Sequence, residues 1–98
     1  MATFISTVKF TPQGLQKIQD TTKRASALKA AAKKMGVKVD EIYWTLGPFD
    51  GVIIFDAPNE ESATALMLHL AGQGNVSTAT ARAYNAAEIE KVIGMIKK

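Results

Sequence analysis

The chain reads as an α+β domain of ferredoxin-like type, with elements in the order βαββαβ and a further helix at the end, and three observations predict it. Segments with period-two alternation and segments with three- and four-residue apolar spacing follow one another in that order. Residues 43–51 gather the only Trp, one of two Tyr and a Gly47-Pro48 reversal, and they run straight into Val52-Ile53-Ile54-Phe55, which marks a hairpin between the two middle strands. The helical stripes are one-sided, so the first two helices cover one face of a four-stranded antiparallel sheet.

In the first strand, Phe4, Val8 and Phe10 alternate with Thr3, Ile5, Thr7 and Lys9. Thr11 then offers a helix cap and Pro12 takes the first helical position, where its missing N–H costs nothing. Leu15, Ile18, Thr22, Ala25, Leu28, Ala32 and Met35 share one stripe, and Asp20-Thr21-Thr22 favours a break within it. Gly36 ends that helix as a left-handed cap. The second strand spans 37–46, and strict alternation puts Val39, Glu41 and Tyr43 on one face and Lys38, Asp40, Ile42 and Trp44 on the other. Charge on both faces of its first half suits a strand that projects beyond the core or lies at a sheet edge.

The third strand, 49–56, is apolar on both faces and wants cover on both sides. Asn59 caps the second helix ahead of Glu60 and Glu61, whose charges suit the positive end of the helix dipole. Ala63, Leu66, Met67 and Leu70 make its buried stripe, and Gly72-Gln73-Gly74 stops it. In the fourth strand, 76–84, Ser77, Ala79, Ala81 and Ala83 line one face and Val76, Thr78, Thr80, Arg82 and Tyr84 the other. Small residues admit a close helix, so the alanine face is expected beneath the helices. Asn85 and Glu88 have capping-box spacing, and Ile89, Val92, Ile93 and Ile96 form a third amphipathic helix that packs on its own domain or reaches a partner.

With 98 residues the chain is read as a single domain over 1–98, short enough to leave much of its surface uncovered unless it associates. Zero Cys excludes disulfides, thiolate metal sites and Cys nucleophiles, and fits a reducing compartment. No stretch approaches the roughly 20 apolar residues of a membrane span, and the first residues lack a basic segment followed by an apolar run. The expected location is therefore the cytoplasm. The net charge of +3 is unevenly spread, with Lys17, Lys23, Arg24, Lys29, Lys33, Lys34 and Lys38 crowding one segment. Without interleaved aromatics or a Gly-rich phosphate loop, this reads as a solvated helix face rather than a polyanion site. On the sheet's other face, Thr3, Ile5, Thr7, Thr78, Thr80 and one side of the third strand are too apolar to meet water alone. Two sheets packed face to face, as a dimeric α/β barrel, would bury that surface and enclose a cleft.

Several segments resemble those of the GYD domain family of small bacterial and archaeal proteins. They are Phe10-Thr11-Pro12-Gln13-Gly14, Lys23-Arg24-Ala25, Tyr43-Trp44-Thr45-Leu46-Gly47, Phe49-Asp50-Gly51-Val52 leading to Ala57-Pro58, and Gly74-Asn75-Val76. The resemblance covers nearly the whole chain and implies a ferredoxin-like dimeric α/β barrel without implying an activity. The triplet that names the family is represented here by Pro48-Phe49-Asp50, so no role that needs a tyrosine hydroxyl carries over.

Candidate chemistry is sparse. His69, the only histidine, stands between Leu68 and Leu70 without a motif partner and reads as a structural or surface residue. Asp50, at the hairpin tip, is either a base at the barrel mouth or a turn residue satisfying nearby N–H groups. Tyr43 and Trp44 point to opposite faces, and each is a packing residue before it is a ligand contact. Arg82, Tyr84, Thr78 and Thr80 share a face, on the barrel interior if the alanines lie under the helices, where Arg82 suits an anionic ligand or a subunit bridge. No metal site and no cofactor is expected. The leading reading is a homo-oligomeric, self-associating module that holds a small molecule between its sheets. The rival is a cofactor-independent enzyme of isomerase or monooxygenase type, with Arg82 holding an anion and Asp50 moving a proton. A third reading, weak RNA binding on the open sheet, lacks the stacking aromatics it needs, and no nucleic-acid partner is expected.

Overall fold

The computed structural model describes residues 1–96. In chain order it contains β1 (Ala2–Phe10), α1 (Pro12–Gln16), a 3-10 turn (Ile18–Asp20), α2 (Thr21–Lys34), β2 (Lys38–Trp44), β3 (Gly51–Ala57), α3 (Glu60–Gly72), β4 (Val76–Ala83) and α4 (Ala86–Ile93). The four strands form one antiparallel sheet in the order β2-β3-β1-β4, which is the ferredoxin-like arrangement. The charged strand β2 lies at an edge, one of the two placements its charges suit.

The core lies between the sheet and α2 and α3. Phe4 and Val8 from β1, Ile53, Phe55 and Ala57 from β3, Leu28 and Ala32 from α2, and Ala63, Leu66 and Met67 from α3 are all buried. Phe4 and Phe55 stack with centroids 5.4 Å apart. Each such large side chain contributes roughly 1.5–3 kcal/mol through burial. Gly36 terminates the α2 segment at φ +74°, a conformation that glycine adopts without a Cβ penalty.

The break expected near Asp20 is present, but it also re-aims the residues ahead of it. Thr11 caps α1 by accepting from the Gly14 N–H at 3.1 Å, and α1 ends at Gln16. The chain then turns once as a 3-10 helix before α2 begins. Leu15 and Ile18 therefore leave the stripe that Leu28 and Ala32 continue, and both are exposed.

Two face assignments differ from strict alternation or from the small-residue argument. In β2 the register shifts between Val39 and Glu41, a bulge that inserts one residue. Val39, Ile42 and Trp44 consequently pair with Phe55, Ile53 and Gly51 on the helix side, leaving Lys38, Glu41 and Tyr43 on the open side. In β4 the register against β1 sets Arg82 opposite Phe4, Thr80 opposite Ser6 and Thr78 opposite Val8, all on the helix side. Ala79, Ala81 and Ala83 pair with Thr7, Ile5 and Thr3 on the open side, the reverse of the expectation. Alternation divides a strand into two faces, but the neighbour's register decides which face turns inward. Here Phe4 and Val8 point into the core and carry their β4 partners with them.

Candidate functional site

The open face of the sheet is built from three cross-strand rows. Tyr43, Val52, Thr7 and Ala79 form the first, Glu41, Ile54, Ile5 and Ala81 the second, and Lys38, Asp56, Thr3 and Ala83 the third. Its centre is aliphatic, its β4 margin is alanine, and its charges gather on the β2 side. Among the described residues no helix covers it, and Ile5 remains 38% exposed. The Thr3 hydroxyl donates to Asp56 at 2.6 Å, and Lys38 lies 3.6 Å from Asp40. The Thr3 hydrogen bond is the main cause holding the Asp56 carboxyl below its ordinary range. Asp40, which shares a hydrogen bond with Asp56 beside it, is pushed up. Glu41 likewise raises the Tyr43 phenol, which remains a neutral donor at physiological pH.

At the end of the sheet where β2 meets β3, a cavity of about 70 Å³ opens between the helix side of the sheet and α2 and α3. Phe10, Leu28, Ile42, Ile53 and Val76 line it, with Trp44, Arg24 and Asp50 among its polar-capable walls. The Trp44 indole N–H donates to the Thr21 hydroxyl at 3.0 Å, which ties β2 to the start of α2. Asp50 closes the strand ends: its carboxylate accepts from the Phe10 N–H at 2.9 Å and its own N–H donates to the Val8 carbonyl at 2.8 Å. The Arg24 guanidinium donates to the Lys17 carbonyl at 2.7 Å, steadying the turn ahead of α2. Next to this cavity the β1–α1 corner clasps the α3–β4 loop. The Thr11 hydroxyl donates to the Gly74 carbonyl at 2.6 Å, and the Gln13 amide donates to the Gln73 carbonyl and the Asn75 side chain, each at 3.0 Å.

A second concavity, a trough of about 390 Å³, runs between α3 and β4 on the helix side. Ala63, Met67, Leu68 and Ala71 form one wall, Thr78 and Thr80 the other, and Arg82 with Glu60 closes one end. The Arg82 guanidinium stacks 4.4 Å from the Tyr84 ring centroid and 5.8 Å from that of Phe4. It donates to the Thr3 carbonyl at 3.3 Å and to the Ala83 carbonyl, and it pairs with Glu88 at 3.4 Å. Glu88 accepts from the Asn85 backbone N–H, which is the first cause of its lowered pKa, with Arg82 adding to it. The Thr80 hydroxyl donates at 3.0 Å to the fully buried Ser6 hydroxyl.

The profile of the GYD domain matches residues 4–93. The chain belongs to the GYD domain family. A protein of Thermus thermophilus, named "Glutamine synthetase and cystathionine beta-lyase binding protein", is 31% identical to this GYD domain over 90 residues. The match takes in 91% of this chain and 95% of that protein. No solved structure matches.

Within this GYD domain the sequence-predicted site residues fall into two groups on the helix side of the sheet, with Tyr43 rooted on the open side. Trp44 and Asp50 meet at the small cavity, which Tyr43 also borders, while Thr78, Thr80 and Arg82 line the trough, with Tyr84 stacked on Arg82. Arg82, Thr78 and Thr80 thus lie on the opposite side of the sheet from the open face. His69 sits exposed in the last turn of α3, its Nε2 3.3 Å from the Gln73 amide. Among the described residues no group of three His, Cys, Asp or Glu side chains is placed to hold a metal ion, and no helix is long and apolar enough to cross a membrane. Sequence reasoning missed Arg24 at the cavity wall and the clasp that Thr11 and Gln13 make on Gln73, Gly74 and Asn75. The signal was present as two short polar and glycine-bearing segments at the ends of neighbouring strands, each beginning or ending a helix.

Proposed function

We propose that this GYD domain is a self-associating module that binds other proteins, enzymes among them, and that a second copy covers the open face of its sheet. The observation that carries the reading is the uncovered aliphatic centre formed by Ile5, Val52 and Ile54, flanked by the alanine row of β4. Small and aliphatic residues in register make a flat surface that another such surface fits closely, and its burial yields roughly 25 cal/mol per Å². The charges beside it, Lys38 with Asp40 and Asp56, are of both signs, so a two-fold arrangement can set opposite charges against each other. The name of the Thermus thermophilus relative supports the wider role, since it describes a protein that binds glutamine synthetase and cystathionine beta-lyase.

A cleft between two such sheets is walled by Ile5, Thr7, Val52, Ile54 and the β4 alanines, so a small molecule held there is apolar. Proton-transfer catalysis in that cleft finds little support: Arg82 lies across the sheet, and the Asp50 carboxylate is engaged by the Phe10 N–H. The partner-binding part of the reading is tested with purified glutamine synthetase and cystathionine beta-lyase from the same organism, flowed over the immobilised GYD domain. Saturable binding of at least one of them at micromolar concentration is expected. Absence of binding by both removes enzyme binding of this kind from the reading.

A further inference from the structure

We propose that α4 of one copy docks in the α3–β4 trough of a second copy, so that two chains exchange their C-terminal helices reciprocally. This rests on the self-association proposed above and adds where the last helix goes. The first observation is a finished helix that, among the described residues, packs little against its own domain. Asn85 and Glu88 form a complete capping box, so α4 is held as a helix at its start. Its apolar row nevertheless stands in solvent, with Ile89 39%, Val92 39%, Ile93 52% and Ile96 69% exposed. Four aliphatic residues aligned on one stripe are more than the scattered exposed apolar residues of a monomer.

The second observation is the trough itself, an unfilled concavity bordered by Met67, Leu68 and Ala71 on α3 and by Thr78 and Thr80 on β4. Leu68 is 68% exposed there. Alanine and threonine walls let a helix backbone approach, and Met67 adapts its shape to a branched aliphatic partner. The trough is lined from Glu60 to Ala71 along α3 and from Thr78 to Arg82 along β4, and the occupant assigned to it is the eight-residue helix α4.

The third observation decides whose helix fills it. Only Tyr84 and Asn85 separate β4 from α4, and both are held: Arg82 stacks on Tyr84, pairs with Glu88 and donates to the Ala83 carbonyl, while Asn85 is occupied by the capping box. These contacts hold the start of α4, and beyond them the helix makes few contacts with the other elements of its own domain. The Cα radius of gyration, 15.0 Å, accordingly exceeds the about 13 Å of a compact domain of this length. Folding α4 back onto its own trough would have to reverse the chain within Tyr84 and Asn85, which these contacts already hold. A second copy offers the same trough without that reversal, and exchange of an identical element is a low-cost route to a dimer.

The chain has no cysteine, so the exchange is read by disulfide trapping between differently tagged copies. One carries Leu68→Cys in the trough and the other Ile93→Cys on α4. A second pairing, Thr64→Cys with Val92→Cys, covers a different register, and Lys23→Cys on α2 replaces the trough cysteine as control. All five positions are exposed, so the fold tolerates them. Under mild oxidation at least one trough–helix pairing is expected to form the mixed disulfide roughly tenfold or more faster than the control, because docking raises the effective concentration. A chain carrying both cysteines of that pairing should cross-link between copies. Intrachain disulfides in that chain, or mixed pairings no faster than the control, overturn the exchange. Native mass spectrometry of the unmodified protein separates the two readings: an even oligomer whose trough cysteines fail to trap α4 defeats the exchange alone, and a monomer defeats both.

Discussion

Asp50, Ser6 and Gly14 each do one structural job that a single substitution can expose. The Asp50 carboxylate accepts the Phe10 N–H where the β1–β3 ladder ends, so Asp50→Ala leaves that N–H without its charged acceptor. A loss of about 1.5–3 kcal/mol is expected in urea denaturation, with Asp50→Asn losing less because it keeps an acceptor oxygen. Equal losses for the two variants would contradict the clamp. Ser6 is fully buried and accepts from Thr80, so Thr80→Val alone should cost about 1–3 kcal/mol. Adding Ser6→Ala should restore part of that, since no buried hydroxyl is then stranded, and a strictly additive double mutant would refute the coupling. At Gly14 an added Cβ would lie 2.0 Å from the Asn75 carbonyl oxygen, so Gly14→Ala must push apart the clasp between the β1–α1 corner and the α3–β4 loop. The expected readout is a lowered thermal midpoint together with faster amide exchange at Thr11, which donates its N–H to Asn75.

At the scale of elements, the pairing of the edge strand β2 with β3 carries a pH dependence through Asp40 and Asp56. Asp56, held low chiefly by the Thr3 hydroxyl, contributes stability that is present above its unfolded pKa and lost as pH falls through its folded value. Asp40, raised chiefly by its hydrogen bond with Asp56, works the other way: its contribution is present below its unfolded pKa and lost as pH rises through its folded value. Asp40→Asn should therefore raise the denaturation midpoint at neutral pH, with the gain shrinking at acidic pH where the native Asp40 is itself protonated. A destabilised variant at neutral pH would contradict the repulsion between the two carboxylates. The same strand shows where sequence reading stops. Its edge position was legible from charges on both faces, and its hairpin from Gly47-Pro48. The bulge after Val39 was not, because an inserted residue leaves no mark in composition and yet reverses every later side chain, which is why Trp44 reaches Thr21. Strand β4 was misassigned for a related reason. Its two faces were plain, but small residues fit an open sheet face awaiting a flat partner as well as they fit a helix, and only pairing with β1 chooses. The caps at Thr11, Asn59 and Asn85 were legible because their hydrogen bonds are local.

For the whole molecule, the order of elements and the family were readable from end to end, since both rest on patterns continuous along the chain. The grouping of the site residues was not. Arg82 and Asp50 look like one cleft in a linear reading, yet the sheet register sends Arg82 to the trough and the β1 terminus occupies Asp50. The aliphatic centre of the sheet stays uncovered, and a domain of this size gains by covering it. Analytical ultracentrifugation of the native protein beside an Ile54→Lys variant tests that claim most directly, since Ile54 lies in the middle row of the open face opposite Ile5. The native protein should sediment as a dimer or larger even assembly at micromolar concentration, and the variant, its fold checked by circular dichroism, should shift to monomer or weaken at least tenfold, because a lone ammonium would be buried at the two-fold contact. A native monomer, or a variant that associates as tightly as the native chain, would contradict it.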